Sequence, residues 1–196
     1  MTHLTGDLLE FFERWLPDAP ARVLEVGCGD GWLTRYLISA GFEATGIDPD
    51  APDGEPFQRI TVEEFRPPQP FDAAIAVCSL HHVADPVRAV VSLHALIRSG
   101  GRLVLFEFAV EHLDEAARRW LEENGLGDEL DYDYSDVVPL SELERALALG
   151  FRPLAREPAT YLARFREHED LHHREWAAIQ DGTLQPVGMK LAYERE

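Results

Sequence analysis

The chain has 196 residues, 45% of them hydrophobic, and a formal net charge of −18 at pH 7. That length and apolar content suit one domain with a full core and exclude a disordered chain. The acidic balance argues against a nucleic-acid partner, because phosphate binding runs on Lys and Arg that displace counterions.

No apolar run approaches the roughly 20 residues of a membrane helix, and the first residues lack the basic start and apolar core of a secretory signal. The expectation is a cytoplasmic protein without a membrane partner. Two cysteines, Cys28 and Cys78, are too few for a disulfide framework. Both fall at predicted strand ends, as reduced and partly buried thiols that neighbouring strands could bring together.

Leu8, Leu9, Phe11, Phe12, Trp15 and Leu16 recur at helical spacing and predict a helix over about residues 4–16, stopped by Pro17. Residues 22–26 read as a strand, 31–40 as a helix ended by Gly41, and 43–47 as a strand entering Asp48-Pro49-Asp50. Two prolines and a glycine within residues 51–56 leave little or no helix before the next strand, at 58–62. After the turn Pro67-Pro68-Gln69-Pro70, residues 71–78 run almost continuously apolar, as a central parallel strand does. Residues 79–86 form a loop in which Asp85 can cap a helix that opens on Pro86 and ends near Gly100-Gly101; a strand follows at 102–109. This alternation specifies an α/β fold with a mostly parallel sheet. Further on, the expected elements are a helix over 111–124, an acidic, tyrosine-bearing loop over 128–136 and a helix over 139–149. A strand near 160–163, a helix over 167–179 and a last strand over 184–193 complete the chain. All of it reads as one domain, 1–196.

Val23-Leu24-Glu25-Val26-Gly27-Cys28-Gly29-Asp30-Gly31 runs from strand through glycine turn to helix, the shape of a ligand-binding corner. A phosphate-binding loop would need Lys followed by Ser or Thr after the last glycine, and here Trp32 and Leu33 follow. A dinucleotide fingerprint needs a glycine at the sixth position, which is Trp32.

Leu24-Glu25-Val26-Gly27-Cys28-Gly29-Asp30-Gly31 resembles motif I of the class I S-adenosylmethionine (SAM)-dependent methyltransferases, in their small-molecule branch. The resemblance continues through Gly46-Ile47-Asp48, through Phe71-Asp72-Ala73-Ala74, through residues 79–86 and through residues 96–103. It implies a doubly wound, Rossmann-like sheet of seven strands in the order 3-2-1-4-5-7-6 with strand 7 antiparallel. Gly27, Cys28 and Gly29 would line the methionine part of SAM, Glu25 would reach its amino group, and Asp48 would accept both ribose hydroxyls. Pro49 would touch adenine and the Cys78 carbonyl would meet its amino group. Many relatives carry an Asp after strand 3; here Val62 and Glu63 stand in its place, in uncertain register.

Methyl transfer is an in-line displacement, so the protein mainly aligns the nucleophile and excludes water. A hydroxyl acceptor is helped by a general base, and His82, on the loop after strand 4, is the first candidate, ahead of His81 and Glu107. His82 could equally shape the loop alone, and Glu107 could be a buried acid paired with an Arg. Asp72 reads as structural. The acceptor is expected to be a small molecule. Its pocket would be built from the N-terminal helix, the insertion at 110–138 that covers the site, and the end of strand 6, with Trp15, Trp120, Tyr132 and Tyr134 as an aromatic wall.

His168-Glu169-Asp170-Leu171-His172 matches the zinc-protease pattern literally, but it precedes the last strand of another fold and reads as a polar helix, so no metal is expected. The rival functions are a SAM- or nucleotide-binding module without catalysis, an NAD(P)-dependent oxidoreductase, and a zinc hydrolase using His168 and His172.

Overall fold

In β1 (Arg22–Val26) successive side chains point to opposite faces of the sheet, and each face has its own core. Val23 joins Ala73, Ile75, Val104 and Phe106 on one face, while Leu24 and Val26 join Ala74, Ala76, Leu103 and Leu105 on the other. The computed structural model that shows this describes residues 6–165 and 169–196. Within it β2 is Glu43–Asp48, β3 Phe57–Arg59, β4 Phe71–Val77, β5 Ile97–Phe108, β6 Phe151–Ala159 and β7 Gly188–Arg195. The seven strands are ordered β3-β2-β1-β4-β5-β7-β6, with β7 antiparallel to both neighbours. This is the doubly wound architecture expected.

Helices α1 (Gly6–Trp15), α2 (Trp32–Ser39) and α4 (Glu115–Glu123) cover the first face, through Leu8, Phe11 and Phe12, Leu33 and Leu37, and Trp120 and Leu121. α6 (Glu169–Gln180) lies on the same face. On the second face, α3 (Pro86–Leu96) contributes Ala89, Val90 and Leu93, and α5 (Leu140–Leu147) contributes Leu140, Leu143 and Leu147. Such double coverage is why β4 reads as an almost continuous apolar run, interrupted at Asp72. Among the described residues, no helix is long and apolar enough to cross a membrane.

No helix intervenes between β2 and β3, as the prolines require. Asp85 caps α3 as expected: its carboxylate accepts from the Arg88 amide at 3.0 Å, with Pro86 in the first turn. Several boundaries differ from expectation: β3 ends at Arg59 instead of residue 62, β7 runs Gly188–Arg195 instead of 184–193, and three more differ for a visible reason. α3 stops at Leu96 and β5 begins at Ile97, because Ile97 already pairs with Phe71 ahead of a register shift in the ladder. The helix expected from residue 111 starts at Glu115, where Asp114 accepts from the Ala117 amide. The strand expected near 160–163 lies earlier in the chain: β6 ends at Ala159, and a 3-10 turn, Leu162–Phe165, follows. The reason is a buried carboxylate: Glu175 accepts from the amides of Tyr161, Leu162 and Ala163 at 2.7, 3.0 and 2.8 Å, taking donors a strand would give to its neighbour.

Candidate active site

The carboxyl ends of β1, β2 and β4 meet at a cleft of 710 Å³. Its β1 wall is set by Gly27, whose φ is 75° and whose missing Cβ would lie 2.2 Å from the Cβ of Ser79. No other residue allows so close an approach of the two loops. The Ser79 hydroxyl completes the seam by donating to the Val26 carbonyl at 2.7 Å. Gly29 also has a positive φ, but there a Cβ would meet nothing within 4 Å, so the chain beside it is open. Its amide donates to Asp48 Oδ2 at 3.0 Å, while Oδ1 accepts from the Asp50 amide at 2.7 Å.

Of the residues expected to hold a cofactor, Gly27, Asp48, Pro49, Val62, Glu63 and Cys78 line this cleft, as does His82. Glu25, Cys28 and Gly29 do not. Glu25 is buried beneath the loop, where its Oε2 accepts from the Thr34 hydroxyl; burial pushes its carboxyl up to about 7. The Cys28 side chain packs on Ala51 and Phe57, away from the cleft. Both thiols are free, and burial raises them to about 12, which leaves them protonated at neutral pH. Cys78 has a φ of 51°, the one non-glycine in the left-handed region among the described residues, so the chain turns sharply as it leaves β4.

A second pocket of 180 Å³ opens beside the first, lined by His81, His82, Phe108, Glu129, Tyr132, Tyr134, Val137, Tyr161 and Arg164. Among the described residues, His82 alone lines both. Burial and the neighbouring His81 charge hold its imidazole below the usual 6.5, which favours the neutral form at pH 7.

His81 is buried, with Nδ1 2.6 Å from Glu107 Oε2, and Glu107 Oε1 accepts from the amides of Ser79 and Leu80. The partner of this buried acid is therefore a histidine and two amides, where an Arg had been the alternative. Glu107 lines neither pocket, which corrects its candidacy as a base in contact with substrate. Asp72 is structural as expected, accepting from the Arg22 amide and from Arg98 Nε.

The aromatic wall divides. Tyr132 and Tyr134 line the second pocket, but Trp120 belongs to the core under α4, and Trp15 packs on Phe11 with ring centroids 6.4 Å apart. Their indoles follow the apolar faces of their own helices, and those faces turn toward the sheet. Sequence reasoning missed Phe108, Tyr161 and Arg164. Phe108 and Tyr161 read as ordinary strand residues, and Arg164 falls just past the stretch expected to be a strand, in the 3-10 turn Leu162–Phe165.

His168 lies outside the described residues. His172 Nδ1 sits 2.9 Å from the Thr160 hydroxyl, and no group of three or more His, Cys, Asp or Glu among the described residues is placed to hold a metal ion.

A family model described as a methyltransferase domain matches residues 1–154. The chain belongs to the class I SAM-dependent methyltransferases. An uncharacterized methyltransferase of Anoxybacillus flavithermus is 30% identical over 154 residues, covering 68% of this chain and 73% of that one. A ubiquinone biosynthesis O-methyltransferase of Xylella fastidiosa is 33% identical over 111 residues, covering 48% of this chain and 45% of that enzyme. The chain thus spans less than half the length of that relative. In structure, a SAM-dependent methyltransferase from Mesorhizobium loti superposes with a TM-score of 0.66 at 17% identity, covering 97% of this chain and 98% of that chain. The N-methyltransferase NodS from Bradyrhizobium japonicum, in complex with S-adenosyl-L-homocysteine (SAH), gives 0.60 at 15% identity, covering 96% and 84%.

SAM is the cofactor of this methyltransferase, and the cleft suits it. Open space beside Gly29 leaves room along the glycine turn, Asp48 offers carboxylate oxygens suited to vicinal hydroxyls, and Ile47, Ile60 and Val62 form an apolar wall for a flat heterocycle.

Proposed function

We propose that this methyltransferase acts on a small-molecule acceptor by in-line displacement, with the acceptor in the 180 Å³ pocket and His82 as general base. SAM supplies, when bound, an electrophilic methyl group on a sulfonium. Gly27 to Gly29 would take its methionine part, with Glu25 beneath them toward the amino group. Asp48 would hold the ribose hydroxyls, Pro49, Val62 and Glu63 the adenine, and the Cys78 carbonyl the adenine amino group. Residues 110–138 would cover the acceptor and exclude water.

The observation that carries this reading is the position of His82 at the junction of the two pockets. A methyl group must cross there, and a neutral imidazole there can take the acceptor's proton. His82→Ala is expected to lower turnover by about 10²–10⁴-fold, the usual contribution of a positioned base. Its affinity for SAH, measured by titration calorimetry, should stay unchanged. An equal loss of SAH binding would make His82 a wall of the cofactor cleft and nothing more.

A further inference from the structure

We propose that His81, its ring fixed by Glu107, is a specificity-determining residue of the acceptor pocket, and that the acceptor carries two neighbouring hydroxyl groups, one facing His82 and one bound by His81. The inference rests on the methyl-transfer reading above and adds to it the class of acceptor.

The fixing of His81 starts on β5. Glu107 is fully buried, and its Oε1 accepts from the Ser79 and Leu80 amides at 3.2 and 2.9 Å. The amide before them, of Cys78, still donates to the Phe106 carbonyl at 2.7 Å, so the carboxylate takes over where the β4–β5 ladder ends. Oε2 is left for His81 Nδ1, 2.6 Å away. A carboxylate only accepts, so Nδ1 carries a proton toward it. Phe108 meets the imidazole edge-on, with centroids 5.7 Å apart at 78°, and the Val138 amide donates to the His81 carbonyl at 2.9 Å. Ring and backbone are both held.

What remains is Nε2. Among the described residues Trp15 Nε1 is the sole buried side-chain nitrogen or oxygen without a partner. His81 Nε2 bonds to no other described residue either, so it is not sealed in the core, and the pocket that His81 lines is where it opens. A fixed ring nitrogen facing a pocket is a demand on the ligand. A hydroxyl meets it in either protonation state of the ring, because a hydroxyl can donate or accept.

The second histidine sets the spacing. The His81 and His82 rings lie with centroids 4.2 Å apart, and both line the pocket. A group bonded to His81 Nε2 is therefore a neighbour of the group that gives its proton to His82. An acceptor lacking that second hydroxyl leaves Nε2 unpaired once the site is filled, and a site built to bond a hydroxyl rejects such an analogue strongly.

The test compares catechol, hydroquinone and phenol as ligands of the SAH-loaded protein, followed by NMR of the imidazole nitrogens. Catechol is expected to bind about tenfold tighter than either of the others, the return on one added hydrogen bond, and to shift the His81 resonances as phenol does not. Hydroquinone has as many hydroxyls as catechol but sets them apart, so it separates spacing from number. His81→Phe keeps a ring without a nitrogen and should abolish the preference. In Glu107→Gln the amide oxygen still serves Ser79 and Leu80, but its NH₂ now meets Nδ1; the ring loses its hold and most of the preference should go. Both variants should bind SAH as the parent does, which also reports that they fold; if one does not, the other decides. Equal affinities in the parent, no binding of catechol, catechol binding that leaves the His81 resonances unmoved, or a preference retained in His81→Phe would overturn the proposal. Normal SAH binding with any of those results would leave the methyltransferase site standing, whereas failure of the parent to bind SAH would remove both.

Discussion

Asp48 holds the amides of Gly29 and Asp50 at once, so it sets the shape of the glycine turn besides offering oxygens to a ligand. Asp48→Ala is expected to weaken SAH binding by about 1–3 kcal/mol through loss of a charged hydrogen bond. Calorimetry checks this, and unchanged affinity would take Asp48 out of the cofactor site. Glu25 is the opposite kind of carboxylate, buried with the Thr34 hydroxyl as its donor. Burial raises its carboxyl from 4.5 to about 7, so the folded chain holds a proton there that the unfolded chain has released. Its contribution is fully present below pH 4.5 and is lost as pH rises through about 7. The loss amounts to about 3 kcal/mol by linkage. Glu25→Gln keeps a group able to bond Thr34 but cannot ionise. Its stability relative to the parent, from urea titrations at pH 5 and pH 8, should therefore be higher at pH 8 than at pH 5. A pH-independent difference would mean that Glu25 is ionised throughout.

At the scale of elements, the site is a set of loop-to-loop seams, and Gly27 against Ser79 is the tightest. Gly27→Ala sets a Cβ 2.2 Å from another Cβ in a backbone conformation that L-residues avoid. Left-handed strain alone costs roughly 1–2 kcal/mol. The expected result is a lower melting temperature together with weakened SAH binding, because the two loops must part; a variant with parental values in both would show that the seam relaxes without cost. The β1–α2 corner, Asp48 at the end of β2 and the capped start of α3 were all legible in the sequence, because glycine turns, proline positions and apolar periodicity are local signals. The second pocket was not. Tyr161 and Arg164 are placed by Glu175, twelve to fourteen residues downstream of the amides it accepts from. A buried glutamate in a polar helix gives no local sign of that task. Trp15 and Trp120 failed for the converse reason: an aromatic on an apolar helix face suits core and binding site equally, and only the packing of α1 and α4 on the sheet decides.

For the whole molecule the governing quantity is the net charge of −18, which the sequence shows but does not distribute. Several ion pairs are in place, among them Arg14–Glu157 at 2.8 Å, Arg98–Asp72 at 2.7 Å and Arg156–Glu144 at 2.9 Å. The arginines of all three are about half exposed, and such pairs contribute roughly 0–1 kcal/mol each. Against them stands the mutual repulsion of 36 carboxylates set among 18 basic side chains. Repulsion of that kind acts over the whole surface, whereas a pair acts at contact. Raising the ionic strength from about 0.01 M to about 0.15 M shortens the screening length from about 30 Å to about 8 Å. Long-range repulsion is then removed, while pairs in contact lose only part of their attraction. Sodium chloride over that range is therefore expected to raise the melting temperature, and calorimetric scans at constant pH measure it. A fall would mean that the arginine pairs across neighbouring strands, such as those Arg102 and Arg152 make with Glu194, outweigh the excess negative charge.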